Sequence, residues 1–322
     1  MHAFINSPLQ IGSLTIPNRL LQGPLAGYSC APFRTLFNHY TPPAYCVSEM
    51  CSAADIIQNK HKGNSRYLYR APQEPILAYQ ISGTEPLVLA QAARQLQMHG
   101  ADLIDINCGC PKPKIRKKGA GSALLENPEL LIRIIREVRA AISIPLTIKI
   151  RIQGNDNDLV VARKIEEAGA DALIVHGRRW QDDYDVAADW LKIAKIKQVL
   201  TIPVIANGDI AHRESLQKAV ALSKADAYMI ARAGSGHPWL YQDLLGGHTV
   251  PVSYTEKIDL FMAHLHGLAS LEDEYKAVLQ SKSLVRYYFG KLFNAPTLNH
   301  FYQLNSLAML EQFLKQNNLE SI

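Results

Sequence analysis

The chain has 322 residues, 48% of them apolar and 20% charged, with a net charge of +5. That length accommodates one large domain and a smaller appended unit, and the composition excludes an intrinsically disordered chain. No run approaches the roughly 18 apolar residues of a membrane span, and the opening Met1-His2-Ala3-Phe4-Ile5-Asn6-Ser7-Pro8 lacks the basic start and apolar stretch of a leader, so a cytoplasmic protein without membrane contact is expected.

Taken in chain order, residues 9–16 read as two short strands around Gly12-Ser13, a hairpin expected to close the bottom of a barrel. Eight short apolar runs follow, at 20–24, 44–49, 76–81, 103–107, 146–151, 172–176, 204–207 and 227–230. Each is too short for an ordinary helix, and helical segments alternate with them. One helix is predicted over 86–99 with Thr84 as its N-cap. Another is predicted over 128–141, capped by Asn127 with Pro128 at its first position. Gly100 and Gly169 read as helix stops, and each opens a Gly-Ala-Asp step into a strand. Eight strand–helix units without Gly-x-Gly-x-x-Gly after the first strand predict a TIM (β/α)8 barrel over 1–245. After Gly246-Gly247 only helical patterns remain, first in Ile258, Phe261, Met262, Leu265 and Leu268, then over 279–293 and 304–314. They predict a small all-helical domain over 246–322.

The predicted strands finish in polar residues of one parity: Gln80, Asp105 and Asn107, Lys149 and Arg151, His176, and Asn207. In a parallel barrel that parity points inward at the C-terminal face, where active sites are built. One such residue is as readily a satisfied core group; seven on five strands are not explained that way. Lys149, Arg151 and His176 around one cavity repel each other unless an anion fills it, which points to an electron-rich, phosphate-bearing cofactor. The loops after the seventh and eighth strands, Asn207-Gly208-Asp209 and Ala231-Arg232-Ala233-Gly234, offer small residues whose N–H groups suit a phosphate, and a short helix follows at Pro238.

Five cysteines without a framework spacing fit free thiols in a reducing compartment, and Cys108-x-Cys110 is too tight for a zinc site, so no metal is expected. By strand parity Cys108 faces the outer helices as a small buried hydrophobe. Cys110 lies just past the strand, on a loop that Gly109 is expected to make mobile. Lys112, Lys114, Arg116, Lys117 and Lys118 follow within seven residues. A run like this is ordinarily a solvated face; beside a site it becomes a phosphate contact.

Several segments carry a family pattern: Gly23-Pro24-Leu25-Ala26-Gly27, Val47-Ser48-Glu49-Met50, Asp105-Ile106-Asn107-Cys108-Gly109-Cys110-Pro111, Gly121-Ser122-Ala123-Leu124-Leu125, Lys149-Ile150-Arg151, His176-Gly177-Arg178 and Asn207-Gly208-Asp209-Ile210. In this order they resemble the tRNA-dihydrouridine synthases, nearest in pattern to the bacterial B type. The resemblance implies an FMN-binding barrel that reduces the C5=C6 bond of a D-loop uridine in tRNA with NADPH, passing a hydride from reduced FMN to C6 and a proton from Cys110 to C5. It implies that Pro24, Ala26, Gln80, Asn107, Lys149 and His176 surround the flavin ring, and that Asn207, Gly208, Asp209, Ala231 and Arg232 hold its ribityl and phosphate. Arg178 is placed to bind the uracil, the 112–118 run to contact the tRNA backbone, and Lys276, Lys282, Arg286 and Lys291 of the helical domain to clamp the tRNA. A monomer is expected. Thiols are ordinarily protonated at neutral pH, so a cysteine suits the proton-donating role.

The pattern is departed from at Leu25, at Ser29-Cys30, at Ala231 where a glycine is usual, at Arg179 where a threonine is usual, and at Ser281 and Ser283 in the helical region. Ala231 adds a methyl group where backbone approaches phosphate. The same residues also suit an FMN-dependent small-molecule pyrimidine dehydrogenase or ene-reductase; the basic run and the helical domain favour RNA.

Overall fold

The structure, a computed structural model, describes residues 1–58, 60, 65–249, 251–290 and 292–317. Lys291, expected at the tRNA, lies outside the described residues. Strands β1 (Leu9–Ile11) and β2 (Leu14–Ile16) form an antiparallel hairpin turned at Gly12, whose φ is 53°. The barrel strands are β3 (Leu20–Gln22), β4 (Cys46–Val47), β5 (Cys51–Ser52), β6 (Leu77–Ser82), β7 (Leu103–Cys108), β8 (Leu146–Arg151), β9 (Ala172–His176), β10 (Val204–Asn207) and β11 (Ala227–Ile230). All are parallel. Strand β3 pairs with β11 on one side and β4 on the other, and β4 also pairs with β6, so eight strand positions close into a barrel.

The second position is not the continuous strand expected over 44–49 but two pieces, β4 and β5, both paired with β6. Ser48 and Glu49 explain the break. The Ser48 hydroxyl accepts the N–H of Gln80 at 3.1 Å, replacing a ladder bond. Glu49 turns out of the strand, accepting the N–H of Gly27 at 2.7 Å and pairing with Arg66 at 2.7 Å.

The alternation of the strands sorts the core into two layers. Leu21, Val47, Ala78, Leu103, Ala172, Ile174, Ile205, Ala227 and Met229 point inward and pack on Ile11 and Ile16 of the hairpin, which plugs the N-terminal end. Residues of opposite parity, including Ile104, Ile106, Cys108, Ile148 and Val175, pack against the surrounding helices. Cys108 is fully buried there, and burial raises its thiol pKa well above the usual range.

The first large helix is Pro86–Met98, and its N-cap is Glu85 rather than the expected Thr84. Pro86 at the first helical position holds the preceding residue in an extended conformation, which moves the boundary by one residue. The Pro128–Ala141 helix begins as predicted, with the Asn127 side chain accepting from the N–H of Leu130. Gly100 and Gly169 terminate helices with φ of 94° and 102°, a conformation glycine adopts without penalty.

Four C-terminal helices, Tyr254–Leu271, Glu274–Phe289, Ala295–Gln303 and Leu307–Gln316, share a core built on Phe261, Leu265, Leu284, Phe289, Phe301 and Leu310. The second begins five residues before the predicted 279 because Asp273 caps it, and Ser306 caps the last. The Ala295–Gln303 helix was not predicted as an element. Cys30, Leu36 and Trp239 from the barrel segment complete this core. Arg66 ties the two parts together, donating to Glu49 of the barrel and to Glu272 at 2.7 Å and Gln280 at 3.3 Å. Among the described residues no helix is long and apolar enough to cross a membrane.

Candidate active site

Above the apolar layer, the inward positions of the same strands become polar toward their C-terminal ends. Ala78 gives way to Gln80, Leu103 to Asp105 and Asn107, Ile174 to His176 and Ile205 to Asn207; Lys149 and Arg151 lie above Thr147. This ring floors a cavity of about 680 Å³, a volume suited to a cofactor with part of a substrate. Its lining includes Pro24, Ala26, Gln80, Asn107, Cys110, Lys149, His176, Arg178, Asn207, Gly208, Asp209, Ala231 and Arg232, all of them residues singled out by the sequence. Met50, Tyr28, Tyr184 and Tyr287 also line it and were not anticipated. They come from loops and from the C-terminal helices, where no periodic pattern marks them. Tyr28 and Tyr287 meet edge to face with ring centroids 5.9 Å apart.

The electrostatics are one-sided. Lys149, Arg151, Arg178 and Arg232 converge on the cavity; among the described residues the one acidic side chain that lines it, Asp209, is already bound to Arg178 at 2.6 Å. Lys149 donates to Asn207 Oδ1 at 3.1 Å. Burial lowers its pKa to about 8, with Asp105 opposing the shift and Arg151 adding to it. Burial and the neighbouring Lys149, Arg151, Arg178 and Arg232 lower His176 to about 2, so the imidazole is neutral. Its Nε2 lies 3.3 Å from an Nη of Arg178. A guanidinium only donates, so Nε2 accepts and the ring proton sits on Nδ1.

The loop of Cys110 is hydrogen-bonded to its surroundings. The Cys110 N–H donates to Asn107 Oδ1 at 2.9 Å, and the Cys110 carbonyl accepts from the Ser122 N–H at 3.1 Å and hydroxyl at 3.0 Å. The carbonyl of Gly109 accepts from Arg151 Nε at 3.0 Å. The close approach of the two segments needs glycine at 121, where φ is 62° and a Cβ would lie 2.7 Å from the Cys110 carbonyl oxygen.

Three expectations are revised by the geometry. Arg178, expected on the uracil, is 1% exposed; besides His176 and Asp209 it donates to the carbonyls of Tyr184 and Val186 at 3.2 and 2.5 Å. Four of its five N–H groups are engaged by the 184–188 loop, the histidine and Asp209. Arg116 is likewise built into its loop, ion-paired with Glu126 at 2.6 Å and stacked 3.7 Å over Trp180, while Lys112, Lys114, Lys117 and Lys118 are exposed. Gln80 spends its amide on neighbours, donating to Asp105 at 2.7 Å and accepting from Asn107 at 2.8 Å.

The donor set fits a flavin mononucleotide. Gly208 and Asp209 have φ of 125° and 53°, and a Cβ on Gly208 would meet Ala188 at 2.6 Å. The turn therefore exposes backbone where a side chain has no room. Beside it, after the adjacent strand β11, Ala231 precedes the 3-10 turn Arg232–Gly234, and the first N–H groups of such a turn have no acceptor within it. The guanidinium of Arg232 stacks 3.6 Å over Tyr184 at the rim.

A sequence model of the dihydrouridine synthase (Dus) family matches residues 21–321. The tRNA-dihydrouridine synthase B of Pseudomonas aeruginosa is 37% identical over 294 residues, covering 89% of this chain and 88% of the relative. A probable tRNA-dihydrouridine synthase 1 of Synechocystis is 34% identical over 318 residues, covering 96% and 89%. Among solved structures, morphinone reductase in complex with tetrahydroNAD superposes with a TM-score of 0.54 at 14% identity, covering 77% of this chain and 92% of that one. A variant of NCR from Zymomonas mobilis gives 0.55 at 15%, covering 79% and 94%. At such identities the likeness is one of fold.

Proposed function

The chain belongs to the dihydrouridine synthase family, and from that premise we propose that it reduces a D-loop uridine of tRNA to 5,6-dihydrouridine, with FMN as cofactor, NADPH as reductant and Cys110 as the acid. The observation that carries the reading is that Cys110 lines the same cavity as the neutral His176 and a set of cations with, among the described residues, one acidic side chain, itself paired. When bound there, the flavin supplies the hydride for C6.

The residues of the chain do the rest. Pro24 and Ala26 line the ring through backbone, with Gln80, Asn107, Lys149 and His176 beside it. Asn207, Gly208, Asp209, Ala231 and Arg232 hold the ribityl and phosphate, Asp209 through its backbone because its carboxylate is taken by Arg178. Lys149 holds negative charge at the ring, and His176 presents Nδ1–H as a neutral donor. Cys110 keeps a proton on Sγ for C5 of the uracil, fixed by the bonds to its own N–H and carbonyl. Arg178 acts through His176 and the 184–188 loop as a positioning residue.

A base must leave its stack to enter a cavity at the end of a barrel, and extraction from a loop costs less than from a duplex. The exposed Lys112, Lys114, Lys117 and Lys118 lie two to eight residues beyond Cys110 and suit the phosphates flanking such a base. The 246–322 region, with Lys276, Lys282 and Arg286, forms the second contact of a monomeric cytoplasmic enzyme. Lys117→Glu is expected to weaken tRNA binding on the order of tenfold at low salt, with a shallower salt dependence. Filter binding across a salt series measures both, and an unchanged slope removes the run from the interface.

The decisive test supplies the flavin-loaded protein with NADPH and unmodified tRNA and quantifies dihydrouridine. Oxidation of NADPH as fast with a free pyrimidine as with tRNA overturns the reading in favour of a small-molecule reductase.

A further inference from the structure

We infer that Asp105, at the base of a one-directional hydrogen-bond chain through Gln80 and Asn107 to the backbone of Cys110, is a positioning residue for the proton donor. The inference rests on the role given to Cys110 above.

The chain can be followed atom by atom. The Thr147 hydroxyl donates to Asp105 Oδ1 at 2.7 Å, and Gln80 Nε2 donates to Asp105 Oδ2 at 2.7 Å. Gln80 Oε1 accepts from Asn107 Nδ2 at 2.8 Å. Asn107 Oδ1 accepts from the N–H groups of Gly109 at 3.2 Å and Cys110 at 2.9 Å. Asp105 and Gln80 are no more than 1% exposed and Asn107 is 8% exposed, so water does not compete.

Both ends dictate the direction. Backbone N–H groups only donate, so the Asn107 atom facing the Cys110 loop is its oxygen and the amide nitrogen turns to Gln80. Gln80 must then present its oxygen to Asn107 and its nitrogen downward, which requires an acceptor beneath it. Asp105 provides that acceptor, two residues before Asn107 on β7 and therefore on the same inward face. Without it, Gln80 gains by reversing its amide, Asn107 loses its partner, and the bond that orients Cys110 is lost with no direct contact broken at the cysteine. A buried polar network of this kind is stable only when every member is satisfied.

What Asp105 contributes to the chain is an acceptor, not a charge, and this separates it from other roles. Asp105→Asn can still turn an oxygen to Gln80 and an amide to Thr147, whereas Asp105→Leu, close in size, cannot. Both Asp105→Leu and Asp105→Asn remove the charge that holds the Lys149 pKa up, so the two are compared with FMN saturating; there Asp105→Leu is expected to lower kcat for tRNA reduction by about tenfold to a hundredfold, with KM for tRNA unchanged and an altered rate of Cys110 alkylation by iodoacetamide. Asp105→Asn is expected to stay within about threefold of wild type in kcat, and its alkylation rate is expected to match wild type.

Should Asp105→Leu fail to fold, Thr147→Val removes only the hydroxyl that aims Asp105 and is expected to lower kcat by about threefold to tenfold at constant KM. Wild-type kcat in both Asp105→Leu and Thr147→Val, or equal damage from Asp105→Asn and Asp105→Leu, overturns the inference. The alkylation rate needs no substrate: a changed rate in Asp105→Leu with Cys110→Ala fully active leaves the chain standing and removes the role of Cys110 instead.

Discussion

Cys110→Ala is expected to lower dihydrouridine formation by about 10²- to 10⁴-fold, the range contributed by a positioned general acid, while flavin loading and tRNA affinity stay at wild-type levels. The residue lines the cavity but contributes only its backbone to the bonds that fix the loop, through Asn107 and Ser122. Removing the thiol therefore deletes the proton and leaves the scaffold. The flavin spectrum, gel-shift affinity and product yield are measured on one preparation. Full retained activity removes the assigned role. Cys110→Ser, which keeps an exchangeable proton on a far weaker acid, should fall between the two.

Lys149→Met is expected to lower turnover by about a hundredfold, comparable with losing one preorganised donor from a site that stabilises negative charge. It should also weaken FMN binding. Methionine matches the stem of the lysine, so the ring of inward residues stays filled and only the ammonium is lost. A pH signature accompanies the change. Burial lowers the Lys149 pKa to about 8, with Asp105 opposing. Its charge is present below that pH and lost above it. The affinity of the empty wild-type protein for FMN, whose phosphate is already fully ionised there, is expected to fall with rising pH above about 8, by at most about tenfold per unit. The same titration with Lys149→Met should be flat. A wild-type curve with no slope between pH 7 and 10 refutes this placement of the charge.

The departures from the family pattern have structural readings. Arg179, where a threonine is usual, pairs with Asp182 at 2.8 Å and accepts through its carbonyl from Arg151 at 2.8 Å, so its backbone props a cavity residue while its side chain stays outside. Ser281 is fully buried in the helical core, its hydroxyl returned to the Val278 carbonyl at 2.7 Å, and it has no access to RNA. Ser283 is exposed on the same helix.

Much of this was legible in the amino-acid sequence. The eight strand positions, the hairpin plug and the inward polar parity were readable because a strand alternates its side chains with a period of two, so the sequence itself records which residues share a face. Gln80, Asp105, Asn107, Lys149, His176 and Asn207 share that face by strand parity alone, and they line or underlie one cavity. Cys108 and Cys110 were assigned to opposite environments by the same alternation and the end of the strand, and their burial agrees with it.

Only the tertiary structure decided which polar groups spend their hydrogen bonds on one another. Arg178 sits with a family motif in the sequence, yet its partners are the carbonyls of Tyr184 and Val186 and the carboxylate of Asp209, distributed over two loops. Tyr287 reaches the cavity from a helix that begins more than a hundred residues beyond β8. Gly109 suggests freedom in the loop of Cys110, but the hydrogen bonds that Asn107, Ser122 and Arg151 bring to it from three segments cannot be read from that glycine. Periodicity is a property of consecutive residues and survives in the sequence; the satisfaction of a buried donor depends on which distant acceptor the closed barrel brings within 3 Å.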